Sequence, residues 1–260
     1  MGNEESGARG GELNGGEREW RQPALLETVP PPHQRVCGMD EVGRGALAGP
    51  LVAAAVILPA DFAQWLGPLA PFLRDSKTTP KRRREEVAVV VRERAVSLAI
   101  AVAPVSMIND RGVGWANRDI FRALIETIDA DEYIVDGKAK PPAPAGRAHR
   151  VRCLVKADTL APAVSAASIV AKVYRDHIMA ELALECPDFG WEHNAGYSAP
   201  DHMEALRRLG PGPHHRSQFV ATALAGGQRA RRERRSTPDR ASASGDSIYE
   251  ELVLFGDETG

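Results

Sequence analysis

Val36-Cys37-Gly38-Met39-Asp40-Glu41-Val42-Gly43-Arg44-Gly45 sets an apolar approach against two adjacent carboxylates and a glycine-flanked arginine. Carboxylates at the edge of a core lose hydration, and a buried charge without a partner is strongly unfavourable. Glycines give up side-chain packing in return for positive φ or close backbone approach. This order of residues points to a place where a cation, a phosphate or both will sit. The stretch reads as a first strand, Arg35 to Val42. A second, Leu51 to Leu58, is almost wholly apolar and suits a strand buried on both faces. The short Gly43–Pro50 link between them predicts an antiparallel hairpin.

Strand and helix then alternate. Thr79 is expected to cap a helix with Pro80 in its first turn, running to about Arg94. Ala95 to Ala103 reads as a third strand. Asn117 is expected to cap a helix to Ile128, with Ile120, Leu124 and Ile128 on one face. Tyr133 to Val135 and Val151 to Val155 read as two further strands, and Leu160 to about Glu185 as one long helix. Ser198, Pro200 and Asp201 open another helix, closed by Gly210. The predicted class is α/β: a mixed sheet flanked by helices, with a helical C-terminal part.

The flanks differ in composition. Residues 1–32 are Gly- and Glu-rich, end in Pro30-Pro31-Pro32, and are expected to be a disordered lead-in. Residues 228–260 run from Arg-rich to acidic and read as a flexible tail. One catalytic domain, 33–227, remains between them. No run of about 18 apolar residues is present, which excludes an apolar membrane-spanning helix. The N-terminus has no basic-then-apolar signal segment. Cys37, Cys153 and Cys186 are odd in number and far apart, which argues against a disulfide framework and for a reducing, cytoplasmic setting. His214-His215 has no cysteines at zinc-ligand spacing. The net charge of −2 hides basic clusters around Lys77–Arg84, Lys138–Lys156 and Arg229–Arg240.

Asp136 and Asp158 each follow a predicted strand, and in open α/β sheets functional groups collect at strand carboxyl ends. With Asp40 and Glu41 they make four carboxylates at one end of the sheet. Such a group cannot ionise fully without a cation, and hard oxygen donors select Mg²⁺ or Mn²⁺. A two-metal site for phosphodiester hydrolysis is the chemistry this predicts. Neighbouring strand residues face opposite sides, so Asp40 and Glu41 can share a metal only if the strand bends, and Gly43 is the expected bend. In isolation, Asp136-Gly137 reads equally as a turn and Asp158 as a helix cap.

Asp40-Glu41-Val42-Gly43-Arg44-Gly45-Ala46-Leu47-Ala48-Gly49-Pro50 resembles the signature of the ribonuclease HII family. Asp75-Ser76-Lys77, Val135-Asp136-Gly137, Lys156-Ala157-Asp158, Ala166–Lys172 and Gly196-Tyr197 follow in that family's order. The resemblance spans about residues 35–222 and implies a ribonuclease H-like fold. It further implies an endonuclease acting on RNA–DNA hybrids and 5′ of single ribonucleotides embedded in DNA, leaving a 3′-hydroxyl and a 5′-phosphate. Asp40, Glu41, Asp136 and Asp158 take the places of the family's metal ligands. Gly43, Arg44, Gly45 and Tyr197 take those that read the ribonucleotide, and Lys77, Ser168 and Lys172 those that hold phosphates. The sister family, ribonuclease HIII, usually has lysine at the place of Arg44 and an added N-terminal domain longer than residues 1–32. The pattern departs from the family at Ser198-Ala199, which bears on the Tyr197 loop, and at Ser217-Gln218, which leaves Ser217 without an assigned role.

Two other readings compete. A non-catalytic RNA–DNA binding module needs the basic clusters but not four carboxylates. A nucleotide-phosphate loop needs Gly-Lys-Ser/Thr where Ala46-Leu47 stands. In the tail, Glu251-Leu252-Val253-Leu254-Phe255 resembles the peptide that binds the bacterial sliding clamp, with glutamate in the glutamine position. The chain is expected to act as a monomer.

Overall fold

The computed structural model describes residues 35–73 and 79–226, together with the backbone of 251–255. The predicted lead-in, Asp75-Ser76-Lys77 and most of the tail lie outside these residues. The elements are β1 (Val36–Val42), β2 (Leu51–Ile57), α1 (Phe62–Leu66), α2 (Lys81–Arg94), β3 (Ser97–Ala103), α3 (Val105–Arg111), α4 (Val113–Thr127), β4 (Glu132–Asp136) and β5 (Val151–Leu154). Then follow α5 (Ala157–Leu160), α6 (Pro162–Glu185), α7 (Trp191–Asn194), α8 (Pro200–Leu209), α9 (Ser217–Leu224) and β6 (Glu251–Phe255).

The sheet order is β5-β4-β1-β2-β3-β6. The expected hairpin is present: β1 pairs antiparallel with β2, and β2 with β3. β4 joins the other edge of β1 in parallel, and β5 joins β4 in parallel. The mixed five-stranded sheet of the domain thus has β1 at its centre. The tail segment Glu251–Phe255, expected to be flexible, adds a sixth strand antiparallel to β3.

Alternation along β1 divides the core. Cys37 and Met39 enter a cluster with Ile120, Leu124, Tyr133 and Val135 on the α4 face. Val52, Val56, Ile100 and Val170 pack on the opposite face, against α2 and α6. Each such side chain stabilises by roughly 1.5–3 kcal/mol relative to exposure. α6 lies directly on β1 because Gly38 has no side chain. A Cβ there would stand 2.1 Å from Val164 N. This close crossing carries Ser168, further along α6, to the level of Asp40.

Local signals missed in three places. Pro80, not Thr79, occupies the N-cap of α2, and the Thr79 hydroxyl donates to Phe72 O at 3.1 Å. α4 starts four residues before Asn117, after Gly112, so Asn117 lies inside the helix. The predicted long helix is divided at Ala161-Pro162 into α5 and α6. In each case a proline or glycine stands at the boundary and no side chain caps the first turn.

Candidate active site

The four predicted ligands come from three elements at one end of the sheet. Asp40 is on β1, 8% exposed, and its Oδ1 accepts the Glu41 N–H at 2.8 Å. Burial first of all pushes its carboxyl up to about 7; the Ser168 hydroxyl opposes this, and Glu41 and Asp136 add to it. Glu41 is also raised, by burial foremost and by Asp136, against the pull of Arg44. Arg44 Nη1 stands 3.5 Å from Glu41 Oε1. Asp136 closes β4, one residue beyond the parallel pair Met39–Val135, and so neighbours Asp40. Its Oδ1 accepts the Ala157 N–H at 2.8 Å, which ties the end of β4 to the helix turn bearing Asp158. Lys156, just before that turn, adopts φ 60°, a left-handed conformation unusual for a side chain with a Cβ.

The chain turns at Gly43, at φ +91°, but only beyond Asp40 and Glu41, which remain on a regular strand. Pairing with β2 continues without interruption from Cys37–Ile57 to Val42–Val52. Asp40 therefore stays on the α6 face and Glu41 on the α4 face. Among the described residues, no group of three or more histidine, cysteine, aspartate or glutamate side chains is arranged to hold a metal ion as it stands. The donor chemistry nevertheless fits a hard divalent cation: the raised carboxyls of Asp40 and Glu41 share an acidic field with Asp136. Both would return toward ordinary values beside a cation.

Asn117 is a residue the sequence reading assigned only to a helix cap. Its amide lies close enough to Glu41 to favour the ionised carboxylate, and its buried Nδ2 has no partner at full hydrogen-bond geometry. An i,i+3 or i,i+4 pattern cannot reveal this role, because Glu41 is on another element.

The predicted substrate residues divide. Gly43 has φ +91° because its loop turns against Arg175; a Cβ there would stand 2.2 Å from Arg175 Nε. Arg44 projects with its side chain 60% exposed. Gly45 is exposed beside it. Tyr197 is 36% exposed and closes on the same loop, since Leu47 N and Ala48 N both donate to Gly196 O, at 2.8 and 3.2 Å. Ser168 is buried against Asp40 rather than open to a phosphate. Lys172 Nζ pairs with Asp176 Oδ1 at 2.6 Å. Lys77 lies outside the described residues.

Behind Tyr197, two buried histidines form a relay. Gly212 N–H donates to His215 Nδ1 at 2.9 Å, which leaves His215 Nε2–H to donate to His202 Nε2 at 3.0 Å. His202 Nδ1–H then donates to Tyr197 O at 2.8 Å. Both rings are neutral in this arrangement. Burial first, then the nearby His202, pushes His215 down to about 4.

The ribonuclease HII family model matches residues 37–222. Ribonuclease HII of Paramagnetospirillum magneticum is 45% identical over 190 residues, covering 72% of this chain and 91% of that protein. Ribonuclease HII of Thermosynechococcus vestitus is 41% identical over 193 residues, covering 74% and 86%. The ribonuclease HII of Archaeoglobus fulgidus, solved in a complex with PCNA, superposes with a TM-score of 0.60 at 26% identity, covering 72% of this chain and 94% of that one. A ribonuclease HIII solved with Mn²⁺ shares the fold at 19% identity and a TM-score of 0.55. With its ordered motifs, a mixed sheet centred on β1 and this breadth of match, the chain belongs to the ribonuclease HII family and is a ribonuclease H endonuclease.

Proposed function

We propose that the protein hydrolyses the RNA strand of RNA–DNA hybrids and cuts 5′ of single ribonucleotides in duplex DNA, leaving a 3′-hydroxyl and a 5′-phosphate. The observation that supports this most is the placement of the Gly43-Arg44-Gly45 turn directly after the acidic end of β1, with Arg44 reaching Glu41. Asp40, Glu41, Asp136 and Asp158 are the residues that would hold two divalent cations, Mn²⁺ or Mg²⁺, with Glu41 approaching from the opposite face of β1 to Asp40. Bound there, such ions supply an activated water and stabilise the leaving oxygen.

The chain's own contribution is orientation. Ser168 O–H and Glu41 N–H fix the Asp40 carboxylate, and Ala157 N–H fixes that of Asp136. Ser168 thus serves Asp40 in place of the phosphate contact suggested by resemblance. Backbone groups of Gly43–Gly45 approach the 2′-hydroxyl, the group that distinguishes RNA from DNA. The Tyr197 ring stacks on the neighbouring deoxyribose. Lys77 and Lys172 hold phosphates, Lys172 by exchanging its Asp176 partner, and these contacts position the duplex without reading sequence.

Residues 33–227 form the catalytic unit in this reading, and the protein works as a cytoplasmic monomer. No helix among the described residues is long and apolar enough to cross a membrane. The test is cleavage of a duplex with one embedded ribonucleotide, compared with a long hybrid, in Mn²⁺ and in Mg²⁺. Cutting 5′ of the ribonucleotide supports the proposal. Tight binding without cutting in either metal would favour a non-catalytic hybrid-binding module.

A sliding clamp is proposed as a partner through Glu251–Phe255. The solved PCNA complex of the Archaeoglobus protein favours this reading. Here the segment's backbone is paired with β3, so clamp binding would have to draw it from the sheet edge. Deletion of 251–255 should abolish clamp retention in a pull-down, and equal retention would end the idea.

A further inference from the structure

The two loops assigned to reading the ribonucleotide are joined from behind by two arginines. Arg175, in the middle of α6, and Arg216, just before α9, are both fully buried. Every hydrogen bond found for their guanidinium groups among the described residues ends on a backbone carbonyl. Arg216 Nε and Nη2 both donate to Gly49 O, at 2.9 and 2.8 Å, and Nη1 donates to Gly43 O at 2.7 Å. Arg175 Nε donates to Pro50 O at 2.9 Å and Nη2 to Ala48 O at 3.0 Å. Its Nη1 crosses to the other loop and donates to Ala195 O at 2.9 Å. The same guanidinium lies 5.4 Å from the centre of the Tyr197 ring.

Two buried cations side by side are an unfavourable way to fill space. Burial, and then the charge of Arg175, hold Arg216 down to about 9. Well-packed apolar residues are often as stable or more so at such positions. What an apolar residue cannot do is collect several diverging carbonyls at fixed angles, which a planar guanidinium with five N–H donors can. All the carbonyls named belong to two segments, Gly43–Pro50 and Ala195–Tyr197.

We infer that Arg175 and Arg216 are positioning residues that lock these two segments into one rigid reader, held at a constant offset from the carboxylates of β1. The inference rests on the assignment of Gly43-Arg44-Gly45 and Tyr197 as the ribonucleotide reader. Arg216 sets the turn that presents the glycine backbone. Arg175 couples that turn to the tyrosine, both through Ala195 O and through the face of the ring. Neither side chain touches substrate.

Arg175→Lys and Arg216→Lys keep the charge but lack the planar fork that reaches carbonyls at diverging angles. In full-length protein, hydrogen-exchange mass spectrometry should show segments 43–50 and 195–199 exchanging at least tenfold faster together in Arg175→Lys, with β2 and β3 unchanged. In Arg216→Lys, segment 43–50 should loosen by at least as much. The preference for a single embedded ribonucleotide over a long hybrid should fall tenfold or more in both, while kcat on the long hybrid stays within about threefold. If a lysine variant fails to fold, Arg175→Met or Arg216→Met, apolar at the same site, takes its place in both measurements. Loops that exchange as in wild type, or an unchanged preference in a folded variant, would overturn the inference. If wild type itself shows no ribonucleotide-dependent cut, the reader assignment falls, while the exchange data still decide whether the loops are coupled.

Discussion

Arg44 Nη1 stands 3.5 Å from Glu41 Oε1, so the side chain of the Gly43–Gly45 turn contacts a carboxylate at the acidic end of β1. Arg44 is largely exposed, and an exposed ion pair contributes only about 0–1 kcal/mol to stability. Its importance is therefore electrostatic and local. Arg44→Lys should leave the melting temperature within about 1 °C and the cleavage rate within roughly threefold of wild type. Arg44→Glu places a third acidic group beside Glu41 and Asp136 and should lower cleavage by about a hundredfold or more. Steady-state kinetics on one substrate, with thermal melts, check both.

Asp40 is buried beside Glu41 and Asp136, and its carboxyl is raised to about 7. An acid raised in the folded state holds its proton more tightly there than in the unfolded chain. Its stabilising contribution is complete below the unfolded value near 3.9 and is lost as pH rises through about 7. Metal-free Asp40→Asn should therefore be more stable than wild type at pH 8, by on the order of 2 kcal/mol, with the gap closing toward pH 5. It should not cut substrate. Adding Mg²⁺ or Mn²⁺ should raise the melting temperature of wild type and barely move that of the variant. Urea unfolding at the two pH values, with and without metal, provides the measurement.

His215 behaves in the opposite sense. A histidine held down to about 4 contributes stability that is complete above its unfolded value near 6.5 and is lost as pH falls through about 4. The relay to Tyr197 O through His202 should fail over the same window. Up to about 3 kcal/mol of acid destabilisation is expected from this group. His215→Gln should flatten the stability profile between pH 6.5 and 4, and an unchanged slope would refute the assignment.

Asn117 is the neutral neighbour of Glu41, with a buried Nδ2 that lacks a full hydrogen bond. Asn117→Asp adds a negative charge at that point and should destabilise the metal-free protein by about 1–3 kcal/mol. Divalent metal should recover part of that loss. Asn117→Ala removes an unsatisfied polar atom and should fold normally, yet cut about tenfold more slowly because Glu41 loses an orienting contact. Calorimetry with and without Mn²⁺, alongside single-turnover rates, distinguishes the two effects.

The order of strands and helices was legible in the sequence because period and turn chemistry are local. An apolar run at Leu51–Ile57, glycines at 43 and 49, and Gly210 after α8 act within a few residues of themselves. The carboxylates were legible for a similar reason: Asp40, Glu41, Asp136 and Asp158 each close or follow a recognisable element. The faces of β1 that Asp40 and Glu41 take were not. Whether β1 bends at Asp40 depends on its ladder with β2, which continues to Val42 and keeps Asp40 and Glu41 on opposite faces. The sequence alone also assigned no structural role to Arg175 or Arg216. Only packing shows them buried and bound to carbonyls more than a hundred residues away. Hydrogen bonds at that separation have no period and no spacing rule. They are decided when α6 crosses β1 at Gly38 and the C-terminal helices close over the Gly43–Pro50 turn.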